Sequence, residues 1–245
     1  MAQDINKQKT IVFLHYFGGS AESWNWVIKI LSLNYQCVAI NLPGFGEEKP
    51  LQEPSIAGFS DFVIKFLEHN EISNYVLVGH SMGGKVAMQV AAMEQQRGRV
   101  QQLILVAPSP PSVERIPPAE RKRMLNHPDS KEAAKTVKNN TVKVLSADKH
   151  DLAIKTQNIV DNQTWDWWIE QGVNHSIASQ VETLTLPISL IYSKDDPAVT
   201  YAMTTEDTIP NLPKHTQVIE IEKTGHLYPL ECPEWLAEQL ENLIK

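Results

Sequence analysis

VLVGHSMGG, Val76 to Gly84, is the stretch on which the reading of the whole chain turns. An apolar run ends in Gly79-His80-Ser81-Met82-Gly83, and a small-residue stretch with helical spacing follows at once. A G-x-S-x-G match alone carries little, because small residues recur by chance. Between a strand and a helix the two glycines acquire a physical reason. The turn holds the serine at its apex in a strained backbone conformation, and flanking side chains would collide with the strand and helix beside it. The helix that begins here also points its free N–H groups and positive dipole end at Ser81, where negative charge would develop. Ser81 is the candidate nucleophile.

Working outward, short apolar runs alternate with amphipathic stretches, the pattern of βα units that build a parallel sheet. The runs are TIVFLH (Thr10 to His15), QCVAIN (Gln36 to Asn41), YVLVGH (Tyr75 to His80), QLILVA (Gln102 to Ala107), PISLIY (Pro187 to Tyr192) and TQVIEI (Thr216 to Ile221). Most are apolar throughout, as suits strands covered on both faces. TQVIEI alternates and is placed nearest an edge. Helices are expected at Glu22 to Leu33 (Trp26, Ile30 and Leu33 aligned, Ser20 as N-cap), Phe59 to Glu68, Met82 to Gln96 (Val86, Val90 and Met93 aligned) and Pro233 to Ile244. The interval Ser109 to Leu186 breaks the rhythm. It opens on prolines, continues in charged helical stretches and then carries the aromatic cluster TWDWW, with no convincing strand. A structureless segment of that length does not fit a compact domain. We therefore expect an α/β fold whose core is residues 1–108 and 187–245, with residues 109–186 as a helical lid inserted in it.

Composition agrees with a soluble globular chain. Of 245 residues, 42% are hydrophobic and 21% charged, and the net charge of −7 gives no reason to expect nucleic acid or anionic membrane as partner. No stretch approaches the ~20 apolar residues of a membrane span. The polar opening MAQDINKQK lacks the apolar core of a signal peptide. Cys37, inside QCVAI, reads as a buried small hydrophobe, and Cys232 opens the last helix. Two such thiols without metal-ligand or CxxC spacing point to a reducing compartment, and a cytoplasmic location is expected. With no P-loop, dinucleotide fingerprint or metal-ligand cluster, neither cofactor nor metal is expected.

Taken together, five segments in order resemble the α/β-hydrolase family over nearly the whole chain. HYFGGS (His15 to Ser20) resembles the oxyanion loop and NLPGFG (Asn41 to Gly46) the loop after the second strand. GHSMG resembles the nucleophile elbow, YSKDDP (Tyr192 to Pro197) the acid loop and KTGH (Lys223 to His226) the histidine loop. The resemblance implies Ser81 as nucleophile, His226 as base, and the backbone N–H groups of Phe17 and Met82 as oxyanion hole. Its acid stands three positions past a small residue at the strand end. Ser193 is that residue here, so Asp196 is the triad acid, with Pro197 restricting its backbone. Adjacent Asp195 is expected to point elsewhere. This chain departs from the family twice. Tyr16 stands where the oxyanion loop usually has glycine, and only nine residues precede the first strand, so the N-terminal antiparallel hairpin is expected to be missing from a six-stranded, all-parallel sheet.

A serine at the elbow argues against the relatives that use aspartate there (haloalkane dehalogenases, epoxide hydrolases) or cysteine (dienelactone hydrolases). The expected reaction is hydrolysis of a small or medium carboxylic ester or thioester with an apolar acyl part, through an acyl-enzyme. The rivals are a cofactor-free perhydrolase or carbon–carbon hydrolase using the same triad, and a slow-turnover ligand sensor. His69, His127, His150, His175 and His215 lie in polar surroundings and read as solvated, while for His15 and His80 the resemblance implies support of the loops rather than catalysis. Arg121-Lys122-Arg123 reads as a solvated helix face. Tyr16, Trp165 and Trp168 are candidate substrate contacts; for the two tryptophans, packing of the insertion is an equal alternative.

Overall fold

The structure, a computed structural model, describes residues 9–244. Six strands form one sheet in the order β2-β1-β3-β4-β5-β6, with every neighbouring pair parallel. They are β1 (Thr10–Leu14), β2 (Gln36–Ile40), β3 (Tyr75–His80), β4 (Val100–Val106), β5 (Ile188–Ser193) and β6 (Gln217–Ile221). The order reverses between β1 and β3, which opens a crevice at their C-terminal ends. The alternating strand β6 lies at one edge, as its pattern predicts. Apolar β2 lies at the other, so Cys37 is only half-buried rather than buried as expected. The expectation about an N-terminal hairpin falls on residues 1–9, and residues 1–8 lie outside the described residues.

Along the central strands successive side chains serve opposite layers. Ile11, Phe13, Val76 and Val78 pack with Trp24, Val27 and Leu31 around α1 (Asn25–Leu31), and with Leu236 and Leu240 of the C-terminal helix. Val12, Leu14 and Leu77 pack with α2 (Ile56–His69) and α3 (Met82–Glu94) on the other face. The predicted phase of the first helix is corrected. Ser20 does cap it, but the chain enters through a 3₁₀ turn, Ala21–Trp24, which moves the buried stripe to Trp24, Val27 and Leu31 and leaves Leu33 77% exposed. Met93 is likewise exposed near the end of α3, where Val86 and Val90 carry the core face.

Between β4 and β5 the chain forms α4 (Pro118–Met124), α5 (Ser130–Asn139), α6 (Ala147–Asn158), α7 (Asn162–Glu170) and α8 (Ala178–Val181). Trp165, Trp167, Trp168, Ile169 and Val173 from this segment join the same core cluster as α2 and α3. Arg123 is not solvated as expected. It bonds Glu120, Glu132 and Thr136, a bridge from α4 to α5. After β5 come the short helices α9 (Tyr201–Met203) and α10 (Tyr228–Glu231), then α11 (Pro233–Leu243). Among the described residues no helix is long and apolar enough to cross a membrane.

Candidate active site

Strand β3 runs straight into Ser81, whose backbone sits at φ 55° and ψ −120°, a region costing a non-glycine residue about 1–3 kcal/mol. The surroundings over-determine it. Ser81 N–H donates to the Val106 carbonyl at 3.1 Å, and the Ser81 carbonyl accepts from Ser109 at 2.9 Å and Gly84 at 2.8 Å. A Cβ on Gly79 would come within 2.4 Å of the Gly83 carbonyl oxygen, and one on Gly83 within 2.5 Å of that of His15. Only glycine fits at either position, which is the steric reason for the pentapeptide.

The loop after β6 carries His226 to this turn, 145 positions from Ser81 in sequence, with Nε2 2.8 Å from Ser81 Oγ. Its Nδ1 lies 2.8 Å from Asp196 Oδ2. A carboxylate only accepts, so Nδ1 carries the proton and Nε2 is free to receive one from the serine hydroxyl. Asp196 Oδ1 accepts from the N–H groups of Ala198 at 2.8 Å and Val199 at 3.0 Å, which fixes the carboxylate. Asp195 turns away, its Oδ2 accepting from Lys223 N–H at 2.6 Å. Ser81, Asp196 and His226 are all buried. Burial alone would pull the imidazole down. Asp196, helped by Glu114 and Glu231, outweighs that and holds His226 above the ordinary histidine value.

The two flanking histidines do what loop supports do. His80 donates from Nε2 to the His226 carbonyl at 2.7 Å, and burial keeps its ring neutral, well below the usual range. His15 donates from Nδ1 to the Tyr16 carbonyl and accepts the Leu42 N–H on Nε2, which ties the loop after β1 to the loop after β2. Burial lowers its pKa to about 4. His127, expected to be solvated, is instead half-buried. It stacks on Trp165 at 4.1 Å and donates to the Val160 carbonyl. His69, His175 and His215 are exposed.

Met82 N–H is the first of α3 and has no acceptor within the helix. Among the described residues, neither it nor the Phe17 N–H donates to a protein oxygen. The Phe17 ring lies 4.2 Å from that of Trp165 and 6.0 Å from that of Trp168. Both tryptophans are 2% exposed, and Trp165 Nε1 donates to the Met124 carbonyl, so they hold α7 against the loop that bears Phe17. Tyr16 is buried as well. Its ring lies among Val137, Ala153, Leu227 and Leu230, close against Gly19. This places Tyr16 under α5 and α6 in a packing role.

Two buried charges close to Ser81 and His226 escaped the sequence reading. Lys85, one helical turn beyond Ser81, is fully buried and donates to the Ser112 carbonyl at 2.8 Å. Its only linear signal is a lysine on an otherwise small, apolar helix face. Glu231 accepts backbone N–H groups on both sides of His226. Its signal is one acid inside the apolar run LYPLECP.

A doubly wound sheet that brings serine, histidine and aspartate into hydrogen-bonding order at its C-terminal edge defines an α/β-type hydrolase. Residues 11–239 match the alpha/beta hydrolase family, and the chain belongs to it. Over 101 residues it is 39% identical to the dihydrolipoyllysine-residue acetyltransferase component of the acetoin cleaving system of Cupriavidus necator. That match takes in 41% of this chain and only 26% of the relative's length. It is 26% identical to the uncharacterized hydrolase YugF of Bacillus subtilis, across 97% of this chain and 90% of that one. The esterase EaEST of Exiguobacterium antarcticum shares the fold with a TM-score of 0.86, at 14% identity over 97% of this chain and 92% of that one.

Proposed function

We propose that this protein hydrolyses a small or medium carboxylic ester or thioester with an apolar acyl part, through an acyl-enzyme on Ser81. One observation carries the reading: the unbroken, buried line of hydrogen bonds from Asp196 through His226 to Ser81 Oγ. Ser81 Oγ bonds to the substrate carbonyl carbon while His226 Nε2 takes the hydroxyl proton. The carbonyl oxygen becomes an oxyanion and accepts from the N–H groups of Phe17 and Met82. His226 returns the proton to the departing alcohol or thiol, and the acyl group stays on Ser81. Water then gives its proton to His226 and attacks the acyl carbon, which releases the acid and restores the hydroxyl. Asp196 stays ionised throughout, holding the tautomer and stabilising the imidazolium.

The segment 109–186 acts in this reading as a lid on the catalytic edge. Support comes from the contact of α7 with Phe17 and from the hydrogen bond between His226 N–H and the Asn140 carbonyl at 2.7 Å. The aromatic surroundings of Phe17 favour an apolar acyl chain. Trp165 and Trp168 influence it by setting the Phe17 ring. The free thiols of Cys37 and Cys232 agree with a cytoplasmic setting. A panel of activated esters and thioesters of increasing acyl length tests the reaction, run beside fluorophosphonate labelling of the wild type and Ser81→Ala. Labelling should vanish in Ser81→Ala, and turnover should fall on the order of 10⁴-fold or more. A folded Ser81→Ala protein with undiminished turnover refutes the mechanism.

A further inference from the structure

Glu231 has no part in the chemistry just described, yet its carboxylate receives four backbone N–H groups. Oε2 accepts from Val142 at 2.9 Å, Lys143 at 2.9 Å and Gly225 at 3.1 Å, and Oε1 accepts from Leu227 at 3.3 Å. Gly225 and Leu227 bracket His226. Val142 and Lys143 belong to the connection between α5 and α6, at the far end of a different segment of the chain. Each of these bonds is assisted by the carboxylate's charge, so the group forms a firm knot in a buried position. A second link runs beside it, from His226 N–H to the Asn140 carbonyl.

We infer that Glu231 is a positioning residue that locks the His226 loop to the α5–α6 connection, so that docking of the lid and registration of the base against Ser81 are one event. This rests on the proposed roles of Ser81 and His226. The physical reason is that two of the four donors lie on each side of the knot. If the lid connection lifts, the carboxylate loses half its partners, and the backbone flanking His226 loses the group that fixes its height above the elbow. A misplacement of about 1 Å at such a base costs up to 10²-fold in rate. Glu231 also faces His226 as a negative charge, together with Asp196 after β5 and Glu114 between β4 and α4, while the neighbouring His80 is neutral.

Glu231→Gln tests this, because it keeps the shape, removes the charge and turns one acceptor into a donor. The expected result is a fall in kcat between about tenfold and 100-fold with KM for a short ester nearly unchanged. The acid limb of the rate profile should move to lower pH, since a negative charge that favours the imidazolium is gone. Glu231→Asp, which keeps the charge, should restore the limb more than the rate. A Glu231→Gln protein that loses melting temperature but keeps kcat and the acid limb overturns the inference. Should Glu231→Gln fail to fold, hydrogen exchange on the wild type decides. The amides of Val142 and Lys143 should be protected and should open together with those of Gly225 and Leu227. Free exchange at Val142 and Lys143 beside protection at Gly225 refutes the link. The exchange measurement needs no turnover, and Ser81→Ala is judged separately, so failure of the hydrolase mechanism and failure of the link are distinguishable.

Discussion

Replacing Lys85 with methionine should change how the stability of this fold responds to alkali. The ammonium of Lys85 is fully buried in α3, donating to the Ser112 carbonyl at 2.8 Å. Burial lowers its pKa from 10.5 to about 8, against a smaller opposing pull from Glu114. In the unfolded chain the same group titrates near its ordinary value. Between pH 8 and 10.5 the unfolded chain therefore holds a proton that the folded protein has released, and stability rises with pH across that window. At about 1.36 kcal/mol per pH unit, the interval comes to roughly 3 kcal/mol. Below pH 8 both states are protonated and the contribution is flat. Lys85→Met removes the titration altogether. Its unfolding free energy, set against the wild type by urea denaturation at half-unit steps from pH 7 to 10.5, should fall behind progressively by roughly 3 kcal/mol. Other titrating groups are common to both proteins and cancel in the difference. Parallel curves would show that the folded protein keeps Lys85 protonated throughout and that burial does not lower its pKa.

Three further outcomes follow from the site. Asp196→Asn should lower kcat roughly 10²- to 10⁴-fold, because His226 loses the carboxylate that holds its tautomer, whereas Asp195→Asn should cost about tenfold at most. Steady-state kinetics of both variants with one ester reverses the assignment if Asp195→Asn is the crippled one. The kcat/KM profile should rise through an apparent pKa above the ordinary histidine value, since Asp196 holds the imidazolium and only neutral His226 accepts the serine proton. A stopped-assay series from pH 5 to 9 that stays flat, or that rises well below that value, counts against His226 as base. Trp165→Ala should cost roughly 3–5 kcal/mol of stability, the range for emptying a buried tryptophan site. A loss under about 1 kcal/mol in urea unfolding would mean that α7 does not depend on the Phe17 contact.

What the sequence makes legible depends on how far apart the cooperating residues lie. The six strands are visible because burial on both faces leaves continuous apolar runs, and each observed strand falls within a residue or two of its run. Ser81 is visible because part of its constraint is local: a Cβ at Gly79 would collide with Gly83, Gly84 and Ala87 of the helix that follows, whereas one at Gly83 would collide with Leu14 and His15 at the end of β1. Asp196 is reached through a small residue and a proline beside it. Helix phase at Trp26 and Leu33 is misread because a 3₁₀ turn shifts the register, and periodicity counted from the apolar residues cannot see where the α-helix begins. Lys85 and Glu231 are opaque for a different reason. A charge inside an apolar stretch looks like solvent exposure until its partners are known, and those partners are backbone groups 27 and up to 89 positions away. Backbone partners carry no residue-type signature at all. The same holds for His226, which is braced by the Asn140 carbonyl on its own N–H, by His80 on its own carbonyl, and by Glu231 on the amides either side. All three groups therefore act on main-chain atoms of His226 or of its two neighbours. A motif records which side chains react, while the accuracy with which they meet is carried by contacts the motif does not contain. Substitutions that damage this hydrolase without touching Ser81, His226 or Asp196 should for that reason concentrate at Glu231, His80 and the α5–α6 connection.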